Sequence, residues 1–214
     1  MQTRYSREHR DLDGNGYGVI YETGPTNPSL ALPFVNWRGG AEHLSRMKDL
    51  PHLGAVGVIV RDHGVGRVKA GRDGEPVVHY KLSADDVKHL KVGMAGAARI
   101  AEEAGAKAIY SAHQKGISYE PGKRGSREQF IEQCDAAGYG PGQCAFGSFH
   151  IMGTARMGGS PETSATNPDG ITWDVRNLLV ADGSSFPTAS GVNPMISIES
   201  IAHMNATRLA ASLT

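Results

Sequence analysis

The sequence predicts an α+β fold in which an antiparallel sheet packs on helices. Three apolar runs rich in β-branched residues follow one another with short turns between them, at residues 54–61, 66–70 and 76–82. Neighbouring strands with short connections form antiparallel sheets. A long helix follows, because Ser83 and Asp86 form a variant of the capping box and apolar residues recur at helical spacing up to Ala104. Gly105 then ends this helix.

Shorter elements are predicted on either side of this core. Residues 17–22 have a strand-like pattern, and residues 41–50 place apolar side chains at helical spacing. Residues 107–112 are a further strand candidate. Ser126 is a suitable N-cap for a helix that ends near Ala137, and the glycine-rich residues after it form a loop.

The amino-terminal region also contains a calcium-loop pattern. Asp11, Asp13, Asn15, Gly16 and Glu22 fit the sequence D-x-[DN]-x-[DN]-G-x5-E. An EF-hand needs a helix on each side of its loop, whereas the residues that follow Gly16 are strand-like. We therefore interpret this segment as a hairpin turn, with calcium binding as the alternative.

Charge and cysteine content exclude several classes of function. The formal net charge is zero, so electrostatics give no reason to expect nucleic acid or an acidic membrane surface as a partner. Cys134 and Cys144 are too few for a disulfide framework, and the C-x-x-C pairs typical of zinc sites do not occur. The sequence has neither an apolar signal core at its amino terminus nor a membrane-spanning apolar run. We expect a cytoplasmic protein without a bound metal.

The region from residue 147 to residue 213 carries the most informative patterns. His150 lies in a short β-rich run that Gly153 ends, so the last side chains of that strand are expected to be exposed. Residues 177–181 resemble a short buried strand, and Asp182 and Gly183 at its end form a turn with free backbone N–H groups. Such positions bind cofactors in α/β sheets.

A helix is predicted from Pro194 to about Leu213. Asn193 is a good N-cap residue, and Pro194 suits the first helical position. The free N–H groups of Met195 and its neighbours would then form an end of partial positive charge that attracts anions.

At these residues the chain resembles the carboxy-terminal part of the glucose-methanol-choline (GMC) family of flavin-dependent alcohol oxidoreductases. Three motifs match in the family's order: H-x-x-G-T-x-R-M-G at 150–158, N-L-x-V-x-D-x-S-x-x-P at 177–187 and N-P-x-x-S at 193–197. Segments at 60–68, 77–86 and 102–110 make the resemblance closest to bacterial members that act on long or bulky alcohols.

The resemblance implies FAD as cofactor and an alcohol as substrate. Oxidation of an alcohol removes a proton and a hydride, and only an organic cofactor can accept the hydride. His150 stands at the position of the family's catalytic base, and Asn193 at a position where members carry Asn or His that hydrogen-bonds the substrate oxygen. Asp182 and Gly183 would approach the ribityl and pyrophosphate part of FAD, and Pro194 and Met195 the pyrimidine edge of the flavin.

The family's amino-terminal G-x-G-x-x-G fingerprint has no counterpart in this chain. We therefore predict a substrate-binding domain at residues 1–145 and a catalytic, carboxy-terminal segment of the FAD-binding α/β domain at residues 146–214. Three explanations are open: the sequence is a carboxy-terminal fragment, it is a truncated reading, or it is one product of a split gene whose amino-terminal, FAD-binding half is a separate polypeptide. The alternative is a truncated, non-catalytic module that binds an apolar ligand.

Overall fold

The computed structural model describes residues 4–24, 26–31, 34–123 and 125–213. Its contacts group the chain into two compact units. The first contains the residues up to Gly64 together with Lys81–Gly147, and the second contains Val65–Tyr80 together with the residues from Ser148 onward. The structure is of the predicted α+β class. The functional division at residues 145 and 146 stays a prediction.

The first unit is built on a three-stranded antiparallel sheet. Strand β2 lies in the middle, with β1 and β3 on its two sides. Residues Val19, Ile20 and Tyr21 of β2 are all buried. The strands are β1 (Tyr5–Ser6), β2 (Val19–Gly24) and β3 (Ala55–Val60), and two short helices, α1 (Pro28–Ala31) and α2 (Gly40–Lys48), lie between β2 and β3 in the chain.

The long helix α3 (Ala84–Glu103) packs on this sheet and confirms the prediction made from Ser83. The Ser83 hydroxyl accepts the Asp86 N–H, and the Asp86 carboxylate accepts the Ser83 N–H, so the capping box is complete. Glycines let the helix approach the strands closely. A methyl group at Gly93 would overlap the Val58 side chain, and one at Gly96 would overlap the Tyr21 hydroxyl.

The far end of α3 packs on a second layer of short elements. These are β6 (Ile109–Tyr110), β7 (Ser118–Tyr119) and α4 (Arg127–Ala137), and β6 and β7 form an antiparallel pair. Their buried cluster contains Ala98, Ile117, Tyr119, Phe130, Cys134 and Ala137. Glu102 of α3 joins the layer by accepting hydrogen bonds from the Tyr119 hydroxyl, at 2.9 Å, and from the Arg127 guanidinium, at 2.9 Å.

His113 lies in the interior of the first unit. Its side chain is completely buried, and its ring meets the Tyr139 ring edge-on, with the centroids 5.1 Å apart. Burial lowers the pKa of His113, although the Gly138 carbonyl and Asp135 oppose this shift. The residue is therefore a neutral core histidine.

The second unit contains a hairpin and the last helix. The hairpin pairs β4 (Arg67–Ala70) with β5 (Pro76–His79), and all of its strand residues are exposed. The predicted single sheet of residues 54–82 is therefore wrong, because β3 pairs with β2 and the hairpin forms a separate two-stranded sheet. Helix α5 (Met195–Ser212) closes the chain. None of the described helices is long and apolar enough to span a membrane.

Three local predictions in the second unit are also corrected. The run around His150 is not a strand, since residues 145–153 have no ladder partner and Ile151 is highly exposed. Residues 177–181 make only one isolated bridge, at Leu179, because Asn177 has a φ of 61°, which a strand cannot contain. Helix α5 has Pro194 as its N-cap residue, so Asn193 lies one position before the cap.

Replacing Gly96 by Ala should destabilise the first unit by about 1–3 kcal/mol, because the new methyl group would overlap the rigid Tyr21 ring. On a free helix the same change would be stabilising. Gly40→Ala is the matched control, since the space around Gly40 is open. Chemical denaturation of both variants checks this, and equal stabilities would contradict the close packing of α3 on β2.

The contribution of His113 to the stability of the chain should fall as the pH drops below about 6.5, the ordinary pKa of histidine. Unfolded His113 takes up a proton there, whereas the folded residue stays neutral because burial lowers its pKa. The slope for one such group is at most about 1.4 kcal/mol per pH unit. Denaturation curves between pH 8 and 5 should show a smaller slope for His113→Gln than for the wild type. Identical slopes would contradict this role.

Candidate functional site

The candidate site lies in the second unit, where the His150 segment runs beside the turn at Gly183. The Gly153 N–H donates to the Gly183 carbonyl at 3.3 Å. The Ala155 N–H donates to the Ser184 carbonyl at 3.0 Å. The Met157 N–H donates to the Ser185 carbonyl at 2.8 Å. The two segments therefore run in parallel and are joined by backbone hydrogen bonds.

Gly183 also brings this pair of segments against helix α5. A Cβ atom at Gly183 would lie 2.9 Å from the Ile151 carbonyl oxygen and 3.2 Å from Cδ1 of Ile198. Ile198 is in the first turn of α5, and its N–H donates to the Pro194 carbonyl at 2.8 Å. The first two sequence motifs and the start of the helix that follows the third motif thus meet at Gly183.

Asp182 caps the turn that holds Gly183. Its carboxylate accepts the Ser184 N–H at 2.8 Å and the Ser184 hydroxyl at 2.5 Å, and these hydrogen bonds lower the pKa of Asp182. The buried Ser185 donates its hydroxyl hydrogen bond to the Asp182 carbonyl at 2.8 Å. The 3-10 turn Gly183–Ser185 is therefore fixed by its own side chains, and Asp182 stays ionised at neutral pH.

The predicted catalytic residues lie at the margins of this junction. His150 is half-buried between Phe149 and Ile151, whose side chains are 75% and 74% exposed. Asn193 is exposed and immediately precedes the buried Pro194. The segments that carry the imidazole and the amide are thus brought together through Gly183. That the two side chains converge on one reacting carbon stays a prediction.

The N-cap residue of α5 does not cap the helix with its side chain. Pro194 makes no side-chain capping hydrogen bond, and the Met195 side chain is 63% exposed. The first N–H groups of an α-helix have no acceptor within the helix. This end can therefore donate to an electron-rich group, as the predicted roles of Pro194 and Met195 require.

Arg156 positions a neighbouring loop. Its Nε donates to the Thr163 carbonyl at 2.9 Å. The same loop is held by the Ser164 hydroxyl, which donates to the Ser160 carbonyl at 2.6 Å and accepts from the Trp173 indole N–H at 3.0 Å. The structure thus gives Arg156 a structural contact with residues 160–164.

Asn205 is a buried polar residue that the sequence did not reveal. It is completely buried in α5, and neither amide atom has a hydrogen-bond partner among the described residues. It packs on Gly170, where any side chain would overlap the Asn205 amide. The only sequence signal was one polar residue among apolar neighbours, which is also typical of an exposed helical position.

Among the residues that the structure describes, no group of three or more His, Cys, Asp or Glu side chains is arranged to hold a metal ion.

Replacing Gly183 by Ala should destabilise the second unit by about 1–3 kcal/mol, because the Ile151 carbonyl and the Ile198 side chain occupy the space of the new methyl group. Gly159→Ala is the matched control, since Gly159 belongs to the same unit and has open space around it. Thermal unfolding of both variants checks this. A Gly183→Ala protein as stable as the control would show that the three segments are not in close contact.

Comparison with known proteins agrees with the motifs that meet here. The model of the GMC oxidoreductase family matches residues 62–202, well over half of the chain. A long-chain-alcohol oxidase of Arabidopsis thaliana, FAO4A, is 32% identical over 192 residues, which are 88% of this chain and 26% of that protein. A second one, FAO4B, is 30% identical over 214 residues, covering 97% of this chain and 28% of the relative.

A bacterial relative matches the chain over a shorter stretch. A 2-methyl-1,2-propanediol dehydrogenase of Mycolicibacterium austroafricanum is 54% identical over 54 residues, which are 25% of this chain and 10% of that protein. The chain thus spans less than a third of the length of the long-chain-alcohol oxidases that it matches over most of its own length. Because the family model matches more than half of this chain, the chain belongs to the GMC oxidoreductase family.

Proposed function

We propose that this chain is the substrate-binding and catalytic part of an FAD-dependent oxidoreductase that oxidises the CH–OH group of an alcohol. Its relatives include long-chain-alcohol oxidases, and this supports alcohol oxidation over the alternative of a non-catalytic binding module. The chain spans less than a third of the length of those relatives, so the activity of the whole protein is part of this proposal.

The meeting of the first two motifs with the start of α5 at Gly183 is the observation that supports this proposal best. It joins the His150 segment, the Asp182 turn and the start of α5 within one unit. A reaction that removes a proton and a hydride from one carbon needs two acceptors near that carbon. The junction offers an imidazole on one side and a helix start on the other.

His150 is proposed to take the proton of the substrate hydroxyl. Imidazole is the side chain that exchanges a proton most readily near neutral pH. The ring is half-buried, so it keeps access to a ligand. The hydrogen bonds of Gly153 and Ala155 to the 183–185 turn hold the backbone that follows it. A fixed backbone limits the positions of the ring, which favours a defined direction of proton transfer.

Asn193 is proposed to hydrogen-bond the substrate oxygen as negative charge develops on it. An amide N–H₂ group placed at that oxygen stabilises an alkoxide more than it stabilises the neutral alcohol. Asn193 is exposed and stands directly before the helix start, so the dipole of α5 would act in the same direction.

The junction fits FAD by its donor groups. The first backbone N–H groups of α5, at Met195, would suit the electron-rich pyrimidine edge, and the backbone around Asp182 and Gly183 would contact the ribityl and pyrophosphate portion. When bound, FAD accepts the hydride. Pro194 is buried, so it would fix the direction of the first helical turn toward the cofactor.

The substrate is proposed to be an apolar alcohol. The side chains on both sides of His150, Phe149 and Ile151, are apolar and three-quarters exposed, and Met195 is also largely exposed. Exposed apolar groups beside a polar reactive group are typical of a site that binds an alkyl chain and orients one hydroxyl.

The His150→Ala variant, co-expressed with a partner that carries a dinucleotide fingerprint, should oxidise long-chain alcohols about 10²–10⁴ times more slowly than the wild type. The loss follows from removal of the proton acceptor, so flavin absorbance of the purified complex should be retained. Turnover is measured with a dye as electron acceptor.

His203→Ala is the matched control for this experiment, because His203 is an exposed histidine of α5 in the same unit. It should keep wild-type turnover. Full turnover of His150→Ala would overturn the assignment of the base, and a wild-type complex without flavin would overturn the proposed cofactor.

A further inference from the structure

Asn15 and Gly16 lie in the loop between β1 and β2, in the first unit. Asn15 is the one asparagine in the sequence that is followed by glycine, and it is exposed to water. Asparagine is a chemically labile residue, and a following glycine has no Cβ atom to shield its backbone nitrogen. This dipeptide therefore places a reactive side-chain amide beside an unshielded nitrogen.

The conformation of the loop requires glycine at position 16. Gly16 has a φ of 80°, in the left-handed region that favours glycine. A larger residue would be strained there, and its Cβ atom would lie 3.2 Å from the Arg61 guanidinium. The residue that makes Asn15 labile is therefore also the one that the turn needs.

The side-chain amide of Asn15 is lost through a reaction within the chain. The Gly16 nitrogen gives up its proton and attacks Cγ of Asn15, so a new Cγ–N bond forms. The Cγ–Nδ2 bond breaks, and ammonia leaves with a proton from the solvent. Water then opens the cyclic imide at either carbonyl, and the product is aspartate or isoaspartate. Water is the co-reactant, and the oxidation state of every atom is unchanged.

The folded loop holds the attacking nitrogen in place. The Gly16 N–H donates to Oδ1 of Asp11 at 2.9 Å. The Gly16 carbonyl accepts a hydrogen bond from the Arg61 guanidinium at 3.1 Å, so Gly16 is anchored on both sides of its Cα atom. Its nitrogen must leave the Asp11 carboxylate before it can approach Cγ of Asn15.

The Asn15 side chain is held less firmly than this nitrogen. Its amide group reaches the Asp13 carbonyl at 3.4 Å, a long and weak hydrogen bond. The backbone N–H of Asn15 donates to Oδ1 of Asp13 at 2.9 Å, and this contact leaves Cγ unrestrained. The contact that opposes the reaction is therefore the one between Gly16 and Asp11.

We propose that Asn15 is a site of spontaneous deamidation and that Asp11 slows this reaction in the folded protein. The Asp11 carboxylate acts as a hydrogen-bond acceptor that retains the Gly16 N–H. Deamidation adds a carboxylate to a loop that already contains Asp11 and Asp13, and like charges in one loop repel each other. The isoaspartate product also adds an atom to the backbone of the loop. Both products therefore loosen the chain before β2.

Incubation of the purified chain at mildly alkaline pH, followed by peptide mass spectrometry, tests this proposal. The peptide that contains Asn15 should gain the mass of an amide-to-acid change, with isoaspartate formed beside aspartate. In Asp11→Ala the rate should be about two- to tenfold higher than in the wild type, because one hydrogen bond to Gly16 is removed. In Asn15→Gln the mass gain should disappear.

Two variants serve as controls. In Asp11→Asn the side-chain oxygen still accepts the Gly16 N–H without a negative charge, so the rate should stay near that of the wild type. Asp174→Ala removes an exposed aspartate of the other unit and should also leave the rate unchanged.

The absence of a mass gain in both wild type and Asp11→Ala would overturn the modification site. An Asp11→Ala rate equal to or below that of the wild type would overturn the protective role of Asp11. Circular dichroism shows whether each variant folds. If Asp11→Ala is unfolded, hydrogen exchange of the wild-type Gly16 amide decides: it should be protected, and exchange as fast as in an unfolded peptide would contradict the proposal.

Discussion

The first unit depends on one buried carboxylate, that of Asp86. It accepts N–H groups from the chain that leaves β3, at His63 and Gly64, and from the chain that returns at Ser83. A buried anion is tolerated only when its oxygens are satisfied by donors. Asp86 therefore stabilises the start of helix α3 and the segment that follows β3. It also joins the two ends of the segment 65–82, which contains β4 and β5.

The second unit depends on a close backbone approach instead of a charge. At Gly183, the carbonyl of Ile151 and the side chain of Ile198 occupy the space that a larger residue would need. Three segments of the chain share this point. A rigid junction of this kind suits catalysis, because reacting groups must be held within a fraction of an ångström. In the proposed function, it would position His150 and the start of α5.

Local signals in the sequence predict the helices whose ends are stabilised by contacts between residues close in the chain. The capping boxes at Ser83 and Ser126 define the starts of α3 and α4, because their donors and acceptors are three residues apart. Local signals do not predict which distant strands pair. Strand β3 pairs with β2 across a long connection, and β4 and β5 form a separate hairpin. The backbone of Asn177, with positive φ, also overrides the apolar pattern around it. For the candidate site, the motifs select the segments, whereas the contact at Gly183 and the burial of Asn205 depend on tertiary packing, which local patterns do not reveal.

Burial protects the two cysteines from chemical modification. Burial raises the pKa of Cys134 and of Cys144 to about 11. At pH 7 only about one thiol in ten thousand then carries the reactive thiolate. Peroxide and alkylating reagents attack the thiolate, so both sulfurs are slow targets. Both thiols can thus stay intact under mildly oxidising conditions without a dedicated reductant.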